Sequence, residues 1–282
     1  MPAAVIEARD LSKRYGALTA LDGLHLTVEP GEIFGFLGPN GAGKSTTIRL
    51  LLDLIRPSRG EARLFGLPVR DPAARARIGF LPDELALDER MTGRQTLDFF
   101  DALRPAGAPP AQPARRDAIC EKLSLTGADL DRLVRDDSRG TKQKIGLAAA
   151  LQHDPDLLIL DEPTTGLDPL VREGVFDLLL EVGRQGRTVF HSSHVLSEVD
   201  RTCTRVGIVR KGKLVAVEKI DELRRKSVRK MVVESRPGGG PEPARGDPRR
   251  ARRRPGRAPR FGRSRSSPES ARPPRGDRPC VP

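Results

Sequence analysis

No window of the chain approaches the ~18 consecutive apolar residues of a membrane-spanning helix, so the sequence does not cross a bilayer by itself. Cysteine is scarce. Cys120, Cys203 and Cys280 are odd in number and far apart, which fits neither a disulfide framework nor a metal-ligand spacing, and a reducing compartment is the expectation. There is no tryptophan and a single tyrosine, Tyr15. The first residues, Met1 to Arg9, carry an acid at position 7 and no apolar core, so no secretory signal is expected there. Acids are lacking where basic residues gather. From Ser235 onward there are 14 Arg, no Lys and 4 acids, and +10 of the chain's +12 net charge lies in that tail. The body before it is close to neutral, which argues against a basic folded module built to hold nucleic acid. At 282 residues the chain has room for one large domain or two small ones, with a real core.

What is present is organised around Gly38-Pro39-Asn40-Gly41-Ala42-Gly43-Lys44-Ser45-Thr46, which follows the apolar run Ile33–Leu37 and precedes Thr47-Ile48-Arg49-Leu50-Leu51-Leu52. Strand, glycine-rich turn and helix is the context that a phosphate-binding loop requires. Glycines let successive backbone N–H groups point inward at an anion, and the following helix adds the positive end of its dipole. Lys44 reaches terminal phosphates as a point charge, and the Ser45 hydroxyl is a ligand for Mg²⁺. A flexible turn before an ordinary helix is the plainer alternative.

Along the chain, Val5–Ala8, Leu24–Val28 and Ile33–Leu37 read as the opening of a mixed sheet, with Leu24, Leu26 and Val28 on one buried face. Tyr15 lies between the first two; its ring either stacks on a base or covers a sheet edge. Thr46 to Ile55 reads as a helix stopped by Arg56-Pro57. Gly60–Gly66 and Ile78–Pro82 read as strands, the second ending at Asp83-Glu84. Residues 91–152 switch to helical texture, with Thr92 as N-cap of Arg94–Leu103 and a further helix over Arg115–Leu125. The proline-rich connector 104–113 between those helices reads as a surface loop. A helical insert therefore interrupts a strand-rich core.

Leu157–Leu160 is a short apolar run closed by Asp161-Glu162, as expected of a buried parallel strand whose carboxyl end faces a ligand. One acid there can hold Mg²⁺ through water, and the next can orient or deprotonate an attacking water. A strand that merely ends in a charged turn is the alternative. Pro169 to Arg184 reads as an amphipathic helix with Leu170, Val171, Val175, Leu178, Leu179 and Val182 as its apolar stripe. Thr188–Phe190 runs into His191-Ser192-Ser193-His194, placing His194 where the other strands deliver catalytic groups, whereas His25 and His153 read as structural. Val206–Val209 and Leu214–Val217 read as a hairpin, Asp221–Arg229 as a basic helix and Met231–Glu234 as one more strand. The tail 235–282, with 11 Pro and 7 Gly, cannot bury enough apolar surface to offset ordering entropy, and disorder is expected. Its Arg-Pro-Gly-Ala bias also suits out-of-frame translation of GC-rich DNA or, less well, a polyanion-binding arm.

Over residues 4–220 the chain resembles the ATP-binding subunits of ABC transporters, and within them bacterial drug-export subunits of the daunorubicin-resistance type. The resemblance rests on six landmarks in the family's order, Tyr15, Gly38–Thr46, Ile78–Glu84, Ser138-Arg139-Gly140-Thr141-Lys142-Gln143, Leu157–Glu162 and His194, and the longer run Leu157–Asp168 is specific to that family. It implies an α/β P-loop ATPase with a mixed sheet core, a helical subdomain at 85–150 within an ATP-binding domain at 4–230, and a disordered C-terminal tail. Tyr15 would stack on adenine. Gly38, Pro39, Asn40, Gly41, Ala42, Gly43, Lys44, Ser45 and Thr46 would hold ATP and, with Asp83 and Asp161, Mg²⁺. Glu162 would be the general base and His194 would contact the γ-phosphate. Ser138, Arg139, Gly140 and Thr141 would serve the ATP of a second copy, with Asp168 at the interface of that homodimer. A membrane-spanning permease would be the partner, no specific nucleic acid is expected, and the location would be the cytoplasmic face of a bacterial membrane. Two positions depart from the pattern: Arg139 stands where the signature has glycine, and Asp83 where many members have glutamine. A soluble ABC-type ATPase acting on nucleic acid or the ribosome would bring a second cassette, a long coiled coil or zinc-type cysteine pairs, and the chain has none.

Overall fold

A computed structural model describes residues 3–104 and 112–226. The expected strand Met231–Glu234, the tail 235–282, the end of the basic helix beyond Lys226 and positions 105–111 of the connector lie outside the described residues.

The chain opens with β1 (Ile6–Tyr15) and β2 (Leu18–Val28), then β3 (Ile33–Leu37), α1 (Lys44–Leu51), β4 (Arg59–Leu64), β5 (Leu67–Pro68), α2 (Pro72–Arg75) and β6 (Ile78–Leu81). The helical insert follows as α3 (Gly93–Ala102), α4 (Pro113–Lys122), α5 (Gly127–Asp131) and α6 (Arg139–Leu151). The chain then returns to the core with β7 (Leu157–Leu160), α7 (Pro169–Arg184), β8 (Thr188–Ser193), α8 (Leu196–Thr202), β9 (Arg205–Arg210), β10 (Lys213–Lys219) and α9 (Ile220–Lys226).

The mixed sheet core is there, but its strands divide between two sheets. One is antiparallel in the order β2-β1-β4-β5; the other runs β10-β9-β3-β8-β7-β6, all parallel except the edge strand β10. Hydrophobic pattern alone does not choose between these arrangements, because register and partner are set by packing. β1 also continues through Tyr15, so the stretch expected between two strands is itself strand, turning at Gly16 into β2. In β7 every residue is buried. Leu157 and Ile159 pack with Phe34, Phe36, Ile48 and Leu51 toward the antiparallel sheet and α1. Leu158 and Leu160 face Val175, Leu179 and Val199 toward the helices. Each such side chain contributes roughly 1.5–3 kcal/mol of burial.

Local signals place the helix ends. Thr92 caps α3 in a reciprocal capping box with Gln95, and Asp168 followed by Pro169 starts α7. α1 stops four residues before the expected Ile55. Asp53 adopts φ 58, and the Leu54 and Asp53 N–H groups close back on the Arg49 and Leu50 carbonyls at 2.9 and 3.2 Å. That is a Schellman end with Asp in the place glycine usually takes. Leu170, expected in the apolar stripe of α7, is 78% exposed, while Phe176 is buried in the helix instead. At 3.6 residues per turn, position 170 points away from the face that Val171, Val175, Leu178 and Val182 bury. Among the described residues no helix is long and apolar enough to cross a membrane.

Candidate functional site

β3 ends at the carboxyl edge of the parallel sheet, and the chain there folds back over itself before α1. Gly43 makes the turn at φ 108, and a Cβ there would lie 2.7 Å from the Ala20 carbonyl oxygen, so both its conformation and its surroundings demand glycine. α1 begins at Lys44, which aims the first N–H groups and the positive dipole end at the loop. The Lys44 Nζ donates to the Gly38 oxygen at 2.7 Å and the Pro39 oxygen at 3.3 Å, and lies 3.2 Å from Glu162 Oε1. Both charged groups are buried, so their pairing offsets the cost of taking each out of water.

Tyr15, Asn40, Gly41, Gly43, Lys44, Ser45, Thr46, Asp83 and Glu162 line one cleft of about 580 Å³. Tyr15 is 46% exposed on its wall, with Lys13 Nζ over the ring 5.0 Å from its centre. Gly38 and Pro39 act through the carbonyls that hold Lys44. Ala42 is buried behind the loop, where its N–H donates to the Pro39 oxygen at 3.1 Å.

Asp161 sits behind the cleft, buried at the end of β7. Its Oδ1 accepts a 2.5 Å hydrogen bond from Ser192 Oγ, which in turn accepts from the Glu162 N–H at 3.0 Å. This bridge holds Glu162 at φ 52, in the left-handed region that side chains other than Gly, Asn and Asp seldom enter. His194 Nδ1 lies 2.9 Å from Glu162 Oε2. Glu162 therefore has one oxygen toward Lys44 and one toward His194. Burial foremost, then the charges of Asp161 and Glu162, raise the Asp83 carboxyl above its ordinary value, with Arg139 opposing. Ser45, Asp83 and Asp161 offer only oxygen, the donor type a hard cation takes. Among the described residues no group of three or more His, Cys, Asp or Glu forms a metal cage, so a cation here would complete its shell from phosphate and water.

Ser138, Arg139, Gly140, Thr141 and Asp168 fall outside this cleft. Ser138 caps α6, accepting from the Thr141 N–H at 3.1 Å, and its Oγ lies 3.0 Å from the Thr141 hydroxyl. Arg139 lays its Cγ, Cδ and Nε over Gly166, 3.4 to 3.5 Å from where a Cβ on that glycine would be. Asp168 Oδ1 accepts from the Val171 N–H at 3.0 Å.

Several residues given no role in the sequence act by positioning others. Glu198 accepts from Thr164 Oγ1 at 2.8 Å and Ser193 Oγ at 2.7 Å, and Gln143 Nε2 donates to the Pro163 oxygen at 3.2 Å. These bonds pin the segment after Glu162 from both sides. The available signal was the polar run in an otherwise apolar strand, where Ser192 and Ser193 must find partners because β8 is buried throughout.

His191, under the site, is fully enclosed against Thr202 Oγ1 and Cys203 Sγ, both at 3.0 Å. Burial lowers its pKa from the ordinary 6.5 to about 4, against a smaller opposing effect of Glu198. The folded state holds it neutral, so the unfolded chain takes up the proton first and acidification from pH 6.5 to 4 favours unfolding. Roughly 3 kcal/mol of stability is expected to be lost across that window from this group. Urea midpoints measured from pH 7 to pH 4.5 for wild type and His191→Gln check it: the variant's profile should be flatter, and parallel profiles would remove His191 as the cause.

A family model described as ABC transporter matches residues 21–165. The chain is 44% identical over 215 residues to a daunorubicin resistance ATP-binding protein of Streptomyces coeruleorubidus, covering 75% of this chain and 67% of the relative. It is 40% identical over 218 residues to a Nod factor export ATP-binding protein of Paraburkholderia xenovorans, covering 77% and 71%. A solved ATP-binding subunit of an ABC transporter superposes with a TM-score of 0.70 at 29% identity, covering 79% of this chain and 92% of the other.

Proposed function

The chain belongs to the ABC transporter family, and from that premise we propose that it powers export of drugs or other amphipathic compounds through a separate membrane-spanning partner. ATP binding and ATPase activity come with family membership; the direction, the cargo and the partner are the proposal. The export reading leans on the drug-resistance and Nod-factor-export relatives, and one observation carries the hydrolysis site that would power it. Lys44 and Glu162 meet 3.2 Å apart at the phosphate loop, with His194 on the other oxygen of Glu162.

In this reading residues 4–230 form the ATP-binding domain and 85–150 its helical subdomain. Tyr15 stacks on adenine. The backbone of Gly38–Thr46 and the Lys44 ammonium bind the phosphates. Ser45, Asp83 and Asp161 would hold Mg²⁺, which would neutralise charge on the phosphate oxygens. Glu162 accepts a proton from the attacking water, and His194 keeps that carboxylate aimed and reaches the γ-phosphate.

Ser138, Arg139, Gly140 and Thr141 do not line their own chain's cleft, which supports a homodimer in which the start of α6 completes the site of a second copy. Asp168 then sits at the seam, and the exposed Leu170 beside it is available to the same contact. An apolar groove of about 460 Å³ runs between Phe80 of β6, Pro82 and Leu85 just after it, and Phe100, Leu103 and Gly146 of the insert. We assign it to a cytoplasmic segment of the permease, and in this reading the subunit works at the cytoplasmic face of the membrane. No role in binding nucleic acid is assigned.

The test is ATPase activity against protein concentration for wild type and Leu103→Arg. Specific activity should rise steeply and alike in both, since sites are completed only in pairs. Leu103→Arg alone should lose co-sedimentation with membranes that carry the permease. Activity independent of concentration would remove the shared site, and a variant that still sediments would remove the groove.

A further inference from the structure

The β9–β10 turn enters the nucleotide cleft although no motif marks it. Lys211 and Gly212 both line the cleft wall. They are the two central residues between Arg210 and Lys213, at φ 49 and 75. Positive φ at both positions is the primed hairpin turn, which favours Asn or Gly first and takes lysine at a cost.

The turn is fastened on both sides. The Gly212 N–H donates to the Ala42 oxygen of the phosphate loop at 2.9 Å, and the Gly212 oxygen accepts from the Asp22 N–H at 2.8 Å. A Cβ on Gly43 would come within 3.5 Å of Gly212 Cα, so loop and turn touch backbone to backbone. Lys211 is thereby carried by two rigid attachments to the rim of the site.

The charges of the wall decide what Lys211 faces. The lining holds two acids, Asp83 and Glu162, and two cations, Lys44 and Lys211. Lys44, the phosphate-binding cation of the proposed site, lies 3.2 Å from Glu162. Neighbouring Lys213 pairs with Asp22 at 3.2 Å. Lys211 has no hydrogen-bonding or ion-pair partner among the described residues, and its side chain is exposed toward the cleft. We propose that Lys211 is a nucleotide-contacting residue, bringing a second positive charge from the β9–β10 turn to the phosphate chain held by the Gly38–Thr46 loop.

The inference rests on the ATP-binding reading of the same cleft. An exposed charge pair is worth up to about 1 kcal/mol, so the expected effect is modest and salt-sensitive. The experiment is fluorescence titration of the full chain with mant-ATP and with mant-adenosine at low salt. Lys211→Ala should weaken mant-ATP about 5-fold and leave mant-adenosine unchanged. Lys211→Arg should stay within about 2-fold of wild type, and Lys211→Gly, which suits the positive φ, should lose as much as alanine. Added salt should close the gap. Equal mant-ATP affinity for Lys211→Ala and wild type overturns the inference. So does an equal loss for mant-adenosine, or a Lys211→Arg protein as weak as alanine, since the turn's shape would then be responsible. Wild type that binds no mant-ATP overturns the ATP-binding reading itself.

Discussion

Glu162→Gln is expected to lower ATP turnover by at least about 100-fold while ATP still binds, because removing a general base, the role proposed for Glu162, typically costs 10²–10⁴ in rate. The substitution keeps the size and one oxygen of the side chain, so the left-handed backbone at φ 52 and the Ser192 bridge to its N–H are retained. What it removes is the negative charge that lies 3.2 Å from Lys44 and 2.9 Å from His194 Nδ1. A glutamine amide cannot take a proton from water. Freed of its carboxylate partner, Lys44 is left as an uncompensated cation beside the loop, which favours an anionic ligand. Phosphate release under saturating ATP and mant-ATP titration, run side by side, check the two halves. Turnover within about tenfold of wild type would sink the general-base role, and loss of binding would show that Glu162 is needed to build the site.

Gly79→Ala is expected to destabilise the fold by about 3 kcal/mol or more, at the upper end of what overpacking costs. The residue lies in β6, and its Cβ would stand 2.1 Å from the Ala150 carbonyl oxygen, 2.9 Å from Pro155 Cγ and 3.0 Å from Leu158 Cδ1. The nearest obstacle is backbone in the last turn of α6, so no side-chain rotation relieves the contact. Relief requires α6 to move off β6. That motion opens the neighbouring contact at Gly146, which sits so close to Leu81 and Leu85 that its own Cβ would meet them at 2.8 and 2.6 Å. For a body of this size such a loss lowers Tm by roughly 6–12 °C. Gly127→Ala is the control, because a Cβ there meets nothing within 4 Å and the residue has ordinary helical φ. Thermal unfolding of both proteins decides it: equal Tm values would mean that β6 and α6 are not held in this close contact.

Some of this protein was written in short stretches of sequence. The turn Gly38–Gly43 followed by Lys44, the apolar run Leu157–Leu160 with its two closing acids, the Thr92 cap and the Asp168-Pro169 start of α7 all appear where the sequence places them. Each depends on forces acting within a few residues: the glycine φ that a turn demands, a side-chain oxygen reaching an N–H three residues on, the burial of a continuous apolar strand. Local rules also misled. Leu170 is expected in the apolar stripe of α7, yet at 3.6 residues per turn it points away from the face that Val171, Val175, Leu178 and Val182 share, and it is exposed while Val171 beside it is buried.

Partnership across the chain was decided by tertiary structure alone. Nothing near Leu24 or Val28 announces that β1 and β2 leave the parallel sheet and pair in another. Nothing near Ser192 announces that its hydroxyl joins Asp161 to the Glu162 backbone, 30 residues away, or that Glu198 braces Thr164. Arg139 is visible in the sequence as a departure, but its resting place over Gly166 is not. Lys211 reads as one cation in an ordinary hairpin until Gly212 is seen bonded to Ala42. The sequence by itself determined the chemistry available, since a phosphate loop and its carboxylates are local patterns. The fold decided which charges meet, because distances between remote residues follow from how the two sheets and the insert pack, and no local rule encodes them.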